Sequence, residues 1–125
     1  MKAGIALALG MIVVSCLSGC ATPQQYNWGT YQKSLYSYYK NPATAPDFVA
    51  SLQQTINGAE HSHSVVPPGI YAEYGYLMQQ EGNREEAIAA FHKEETQWPE
   101  SKPFMDRMIQ VASNNMATGS AAKEP

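Results

Sequence analysis

The chain has 125 residues, 44% of them hydrophobic and 15% charged, and its formal net charge is −3. That length holds one small domain with a modest core. Eight Lys and Arg against eleven Asp and Glu leave no basic patch on which a nucleic acid could bind.

From Ala3 to Leu17 the chain is apolar or small, after one positive charge at Lys2. A basic start, a short apolar core and a small-residue region form a secretory signal. The run is shorter than the roughly 18–20 residues that span a bilayer, and polar and aromatic sequence follows at once. Leu17-Ser18-Gly19-Cys20 closes the run and resembles the lipobox of bacterial lipoproteins. The resemblance implies a signal peptide over residues 1–19, cut before Cys20. It also implies a diacylglyceryl thioether and an N-linked acyl chain on Cys20, with no other cofactor. Each buried methylene adds about 0.8 kcal/mol of membrane affinity and one chain anchors only marginally; three anchor for good. The alternatives are an ordinary secretory signal cut near Cys20-Ala21-Thr22 and a retained transmembrane helix.

Inner-membrane lipoproteins often carry aspartate where this chain has Ala21, so the sorting rule of that group implies an outer-membrane address, facing the periplasm. Removing 19 of the 125 residues leaves 106, and losing Lys2 moves the charge from −3 to −4. Cys16 falls in the signal and Cys20 takes lipid, so the mature chain has no disulfide and packing alone must hold it.

Residues 20–27 read as a lipidated tether, residues 28–116 as one helical domain and residues 117–125 as a disordered tail. Trp28, Tyr31, Leu35 and Tyr38 or Tyr39 recur at spacings of three and four, which predicts a helix to about Lys40. Asn41-Pro42 stops it, and Pro46 with Asp47 starts a second. There Phe48, Val49, Leu52 and Ile56 mark one face, and Asn57-Gly58 predicts the end. The two helices form an antiparallel hairpin. Residues 59–67 read as a loop, where His61 and His63 lack the third ligand that a catalytic zinc needs. They are solvated loop histidines on this reading.

The stretch from Pro68 to Ser101 resembles a single tetratricopeptide repeat of 34 residues. Tyr71 takes the first aromatic position and Gly75 the small position where two helices cross. Gly82-Asn83 makes the turn, Ala87 and Phe91 follow in the second helix, and Pro99 closes the unit. Gly75 and Ala87 carry almost no side chain, so Tyr71, Tyr74, Met78 and Phe91 can interlock. Glu85 and Glu86 meet the positive end of the second helix dipole. Glu94 departs from the pattern, which wants a small residue there, so the next contact must be looser or rebuilt. Pro103 opens a last helix with Phe104, Met105, Met108, Ile109 and Ala112 on one side, a cap for the repeat's open edge. The expected fold is all-α, about five helices in tetratricopeptide-like hairpins after the signal peptide.

Glu85, Glu86, Glu94 and Glu95 suggest paired-carboxylate catalysis, but all lie on a helix read as solvated, with no apolar pocket to raise a pKa. His92 has no serine or cysteine partner, and no phosphate loop, nucleophile elbow or metal motif is present. The expectation is a protein without catalytic residues, metal or small-molecule substrate. Eight tyrosines and two tryptophans remain. They fill a small core, their polar tips reaching water, or some of them present a surface. The first helix of a tetratricopeptide pair lines the inner groove, and that resemblance places Ala72, Glu73, Tyr76, Gln79 and Gln80 there. Aromatic anchors such as Tyr76 dominate contacts with a peptide or partner helix.

The opening from Tyr26 to Lys40, Tyr-Asn-Trp-Gly-x-Tyr-x-x-x-Leu-Tyr-x-Tyr-Tyr-Lys, with the lipobox and the repeat, resembles a family of short, uncharacterised proteobacterial lipoproteins. Its members are typically encoded beside a lipoprotein similar to the curli secretion channel. The resemblance implies a protein-binding component of an envelope assembly, held to the membrane by lipid, with that channel-like lipoprotein among its partners. Two other roles stay open. One is a carbohydrate- or peptidoglycan-binding accessory factor using Trp28 and the Tyr36–Tyr39 cluster, and the other a piloting chaperone for an outer-membrane channel.

Overall fold

Apolar side chains at helical spacing, cut by Pro and Gly at short intervals, produce five α-helices and no strand among the described residues. The computed structural model describes residues 25–121, with side chains through Asn114. The expected signal peptide over residues 1–19, Cys20 and Ala21 lie outside the described residues, as do residues 122–125 of the expected tail. The helices are α1 (Tyr31–Lys40), α2 (Ala45–His61), α3 (Ile70–Gln80), α4 (Arg84–Gln97) and α5 (Lys102–Ala121). One-turn 3-10 helices over Pro42–Thr44 and Pro99–Ser101 bridge the first and last junctions, and each α-helix packs on the next in sequence.

α1 turns Tyr31, Leu35 and Tyr38 inward, while Tyr39 stays 81% exposed. α2 buries Phe48, Leu52, Ile56 and Ala59, with Ser51 and Thr55 beside them. Those two hydroxyls are satisfied locally: Ser51 Oγ pairs with Thr30 Oγ1 at 3.0 Å, and Thr55 Oγ1 donates to the Ser51 carbonyl at 3.0 Å. The expected stop at Asn57-Gly58 is not where α2 ends. Burial of Ala59 carries the helix through Gly58 to His61, so residues 59–61 are helical and not loop. The chain turns instead at His63, at φ 53°, where the Ser64 and His63 amides bond the Ala59 and Glu60 carbonyls at 2.9 and 3.3 Å. That is a Schellman ending with histidine in the left-handed position glycine usually takes. His61 and His63 are both exposed.

α3 ends the same way at Gly82, φ 87°, where the Asn83 amide reaches the Met78 carbonyl at 2.8 Å. The tight turn sends α4 back along α3. At the crossing a Cβ built on Gly75 would lie 2.7 Å from Phe91 Cε1 and 3.0 Å from the Ala87 carbonyl oxygen. Ala87 and Phe91 are fully buried there. Full burial of one such aromatic contributes about 1.5–3 kcal/mol, so the crossing is a main source of stability.

α5 buries Met105 and Ala112 and half-buries Met108 and Ile109. Phe104 does not join that face; it is 61% exposed at the first turn of the helix. The helical backbone runs to Ala121, into the stretch expected as tail. A row of aromatic contacts ties the two ends of the bundle together. Trp98 packs edge-on against Tyr26, Tyr26 against Trp28, and Trp28 against Tyr31. Tyr31 then meets Phe48, which stacks on Tyr38, all at centroid distances of 5.2–6.2 Å. Trp98 Nε1 donates to the Val66 carbonyl at 3.2 Å, which holds the far end.

Two glycines should respond oppositely to alanine. Alanine favours a helix by about 1 kcal/mol, but at Gly75 overpacking costs about 1–3 kcal/mol, and the buried ring and the backbone carbonyl have nowhere to go. At Gly58 nothing lies within 4 Å, so only the gain of about 0.5–1 kcal/mol remains. Thermal unfolding of the full-length protein in detergent checks this: Gly58→Ala melts above the wild type and Gly75→Ala below it. Equal melting temperatures for the two variants would contradict the close crossing.

Candidate functional site

The face of α3 turned away from its buried tyrosines carries Ala72, Glu73 and Tyr76, one helical turn. Beside it run the N-terminal segment, with Trp28 and Tyr31, and the first two turns of α5, with Phe104, Met105 and Met108. Together they enclose a groove of ≈ 410 Å³, with Phe91 and Pro68-Gly69 completing its lining. Phe91 and Met105 are buried, while Tyr76 and Phe104 are 48% and 61% exposed. The local reasons are plain. Trp28 and Tyr31 are held by the aromatic row, Tyr76 sits one turn beyond Ala72, and Phe104 follows Pro103 at the start of α5.

Among the described residues, Glu73 is the one charged side chain lining the groove. It is half-buried, and its Oε2 accepts a hydrogen bond from the Tyr31 hydroxyl at 2.8 Å. Burial pushes the Glu73 carboxyl above the usual carboxylate range, and the Tyr31 hydrogen bond partly opposes that. Burial first, and then the same bond, raises the Tyr31 hydroxyl. An apolar trough holding one carboxylate has the chemistry to bind: its walls could take apolar groups and its acid could fix orientation.

Of the five residues singled out from the sequence, Ala72, Glu73 and Tyr76 line the groove. Gln79 and Gln80 lie a turn further along α3, beyond its end. Gln79 is half-buried, its side-chain oxygen without a hydrogen-bond partner, and Gln80 is exposed. Sequence reasoning missed Trp28, Tyr31, Phe104, Met105 and Met108 as groove residues, assigning them to apolar helix faces and Trp28 also to an alternative sugar-stacking surface. No local signal marked them: adjacent helical residues are both buried elsewhere in this fold, as at Ile70-Tyr71 and Leu77-Met78, so the doublet Phe104-Met105 does not set either residue apart.

A second cleft, of ≈ 380 Å³, lies where α2 meets α3 and α4. Here the Tyr71 hydroxyl donates to Glu60 Oε1 at 2.8 Å, and Lys93 Nζ donates to the same oxygen at 2.9 Å. The Tyr74 hydroxyl bonds Glu86, and Gln53 Nε2 donates to Tyr74 at 3.0 Å. The Lys93 hydrogen bond, then that of Tyr71, holds the Glu60 carboxyl below its ordinary range. These groups satisfy one another and lace α2 to the α3–α4 hairpin. Among the described residues no group of three metal-binding side chains comes together, and no helix is long and apolar enough to cross a membrane. His92 pairs with Glu95 at 2.8 Å on the outer surface.

Glu94 is not on a solvated face; it is 2% exposed. Its Oε1 accepts from the Gly69 amide at 2.7 Å, and the carboxylate also faces the Tyr71 and Ala72 amides. Only the Gly69 bond meets hydrogen-bond geometry, and Oε2 has no such partner. Where the repeat pattern has a small residue, Glu94 caps the N-terminus of the preceding helix, α3, and α4 still packs on the following helix, α5. Burial outweighs the amides and holds the Glu94 carboxyl above its ordinary value of 4.5. An acid raised in the fold binds its proton more tightly there. Its stabilising contribution is complete at low pH and is lost as pH rises from about 4.5 through the raised value. Wild type therefore gains stability relative to Glu94→Gln as pH falls from neutrality towards 4.5. Urea unfolding of both proteins across that range checks it; parallel curves would contradict the buried cap. Glu94→Ala also strips the acceptor from Gly69 and should cost about 1–3 kcal/mol near pH 4.5, with the same decline in cost as pH rises.

The residues that line the groove fall inside the part of the chain that matches a known family. A search of curated proteins and a search of solved structures return no match. Comparison with known families matches residues 25–108, from just ahead of the aromatic row to Met108 at the groove's edge. That is more than half of the chain, and the protein belongs to the family described as Domain of unknown function (DUF4810).

Proposed function

We propose that this chain is an outer-membrane lipoprotein whose helical domain binds another envelope protein through the groove between α1, α3 and α5. The observation that carries this reading is the groove: ≈ 410 Å³, lined by Trp28, Tyr31, Tyr76, Phe104 and Met108, with two of those rings largely exposed. Exposed aromatics gathered in one concavity are what protein interfaces use as anchors. The α3–α4 hairpin, crossing at Gly75 over Ala87 and Phe91, supports a tetratricopeptide-like reading, in which this face of the first helix receives a partner. Lipid on Cys20 would hold the domain at the membrane through a tether ending near Asn27. The partner is a member of an envelope assembly, the lipoprotein similar to the curli secretion channel being the first to test. The domain acts by binding, without a reaction of its own.

The exposure of Tyr36 and Tyr39, 64% and 81%, favours one other reading. A sugar-stacking platform on α1 would make the protein a peptidoglycan-binding accessory factor. Sedimentation with purified peptidoglycan separates the two: Tyr36→Ala with Tyr39→Ala abolishes it on the second reading and leaves partner capture intact on the first.

Affinity capture from solubilised native membranes tests the main reading. Tyr76→Ala and Phe104→Ala should each lower recovery of a specific envelope protein about tenfold, a loss of about 1.4 kcal/mol, with unchanged melting. Full recovery with both variants would contradict it. The anchor has its own test. The mass of the protein from its host should show an acylated Cys20 at the N-terminus, and Cys20→Ser should release the domain from the membrane fraction. An unmodified cysteine or a different N-terminus would contradict the anchor.

A further inference from the structure

We infer that the groove takes a segment of a partner protein that lays apolar side chains on the aromatic walls and sets a lysine or arginine against Glu73. This rests on the docking reading above and adds the sign of the partner's charge. The groove is apolar except for that carboxylate, which burial already places at a disadvantage when ionised. Glu60 has Lys93, while Glu95 and Asp106 share Lys102 and Glu95 also meets His92; Glu86, like Glu73, has a tyrosine hydroxyl, but it lines the polar cleft that also holds Gln53 and Lys93. Glu94 has helix amides. Glu73 has one neutral hydroxyl, which occupies Oε2, and among the described residues no ion pair reaches it. Oε1 is thus left to an incoming donor.

A carboxylate half out of water gains more from a cation than a surface acid does, because the surrounding dielectric is low. Covering the groove with a purely apolar partner would bury that charge uncompensated. A partner with a cation at that point removes the penalty and is fixed in register by it. Arginine fits best, since its planar fork can bond Oε1 while its stem lies on the rings. The same reasoning disfavours a second copy of this chain, whose formal charge is −3.

Photocross-linking in living cells tests this with the full-length protein. Benzoylphenylalanine replaces Phe104, which is 61% exposed and at the rim, in the wild type and in Glu73→Gln. The glutamine keeps the side-chain volume and still accepts from Tyr31, and equal melting temperatures establish that the fold is kept. The expected result is an adduct to another envelope protein, mapped to a segment with Lys or Arg among apolar residues. Its yield falls about tenfold or more in Glu73→Gln. Changing that cation to glutamate abolishes the adduct, and Glu73→Lys restores it. An adduct mapped to a segment without a cation, or one indifferent to Glu73→Gln, overturns the inference and leaves protein docking standing. An adduct to a second copy overturns the choice of partner. No adduct overturns both.

Discussion

Helices α3 and α4 meet at Gly75 with no room for a methyl group, and the rest of the molecule is arranged around that crossing. A larger residue would collide with Phe91 and with the Ala87 carbonyl, so the hairpin has one packing and one register. Phe91 packs against α3 at that crossing, and the same ring closes part of the groove that α3 walls. Ala72, Glu73 and Tyr76 face outward in a row. The core and the groove share that one ring.

Two further devices hold the remaining walls in place. The aromatic row from Trp98 to Tyr38 pins the N-terminal segment across the bundle, and pairs of this kind contribute about 0.5–1.5 kcal/mol each. Without it Trp28 and Tyr31 would have no fixed position. Glu94 does the corresponding work for α3, tying its N-terminus at Gly69 to α4. A helix start with unsatisfied amides is a weak point in a small domain, and here a buried acid closes it from the neighbouring helix. The row fixes Trp28 and Tyr31, which line the groove, whereas Glu94 steadies α3 without lining it.

The all-α architecture and the α3–α4 hairpin were legible in the sequence because they rest on spacing. Gly75, Ala87, Phe91 and the Gly82 turn sit where a helix pair needs small residues, a ring and a left-handed break. Local signals failed where tertiary contacts decided. Gly58 reads as a stop, yet Ala59 finds a buried seat and the helix continues past it. Glu94 reads as solvent-facing because nothing in its own helix shows that another helix begins above it. Phe104 reads as core by periodicity, although Met105 already fills that position. The groove was half-legible for the same reason. Its α3 wall follows from helical phase, whereas the walls from Trp28, Tyr31 and α5 exist only once the chain has folded back.

The central claim is that the groove is covered in the cell by another protein. On the proposed processing, lipid on Cys20 and loss of Cys16 with the signal would leave no reactive thiol, so Tyr76→Cys would offer a single reporter at the rim, with Tyr39→Cys as an exposed control. The rate of labelling by a small maleimide, in intact cells and on the purified protein, measures the covering directly. The account predicts that Tyr76→Cys reacts readily when purified and slowly in cells, while Tyr39→Cys reacts alike in both. Equal rates at Tyr76→Cys in the two settings would contradict it.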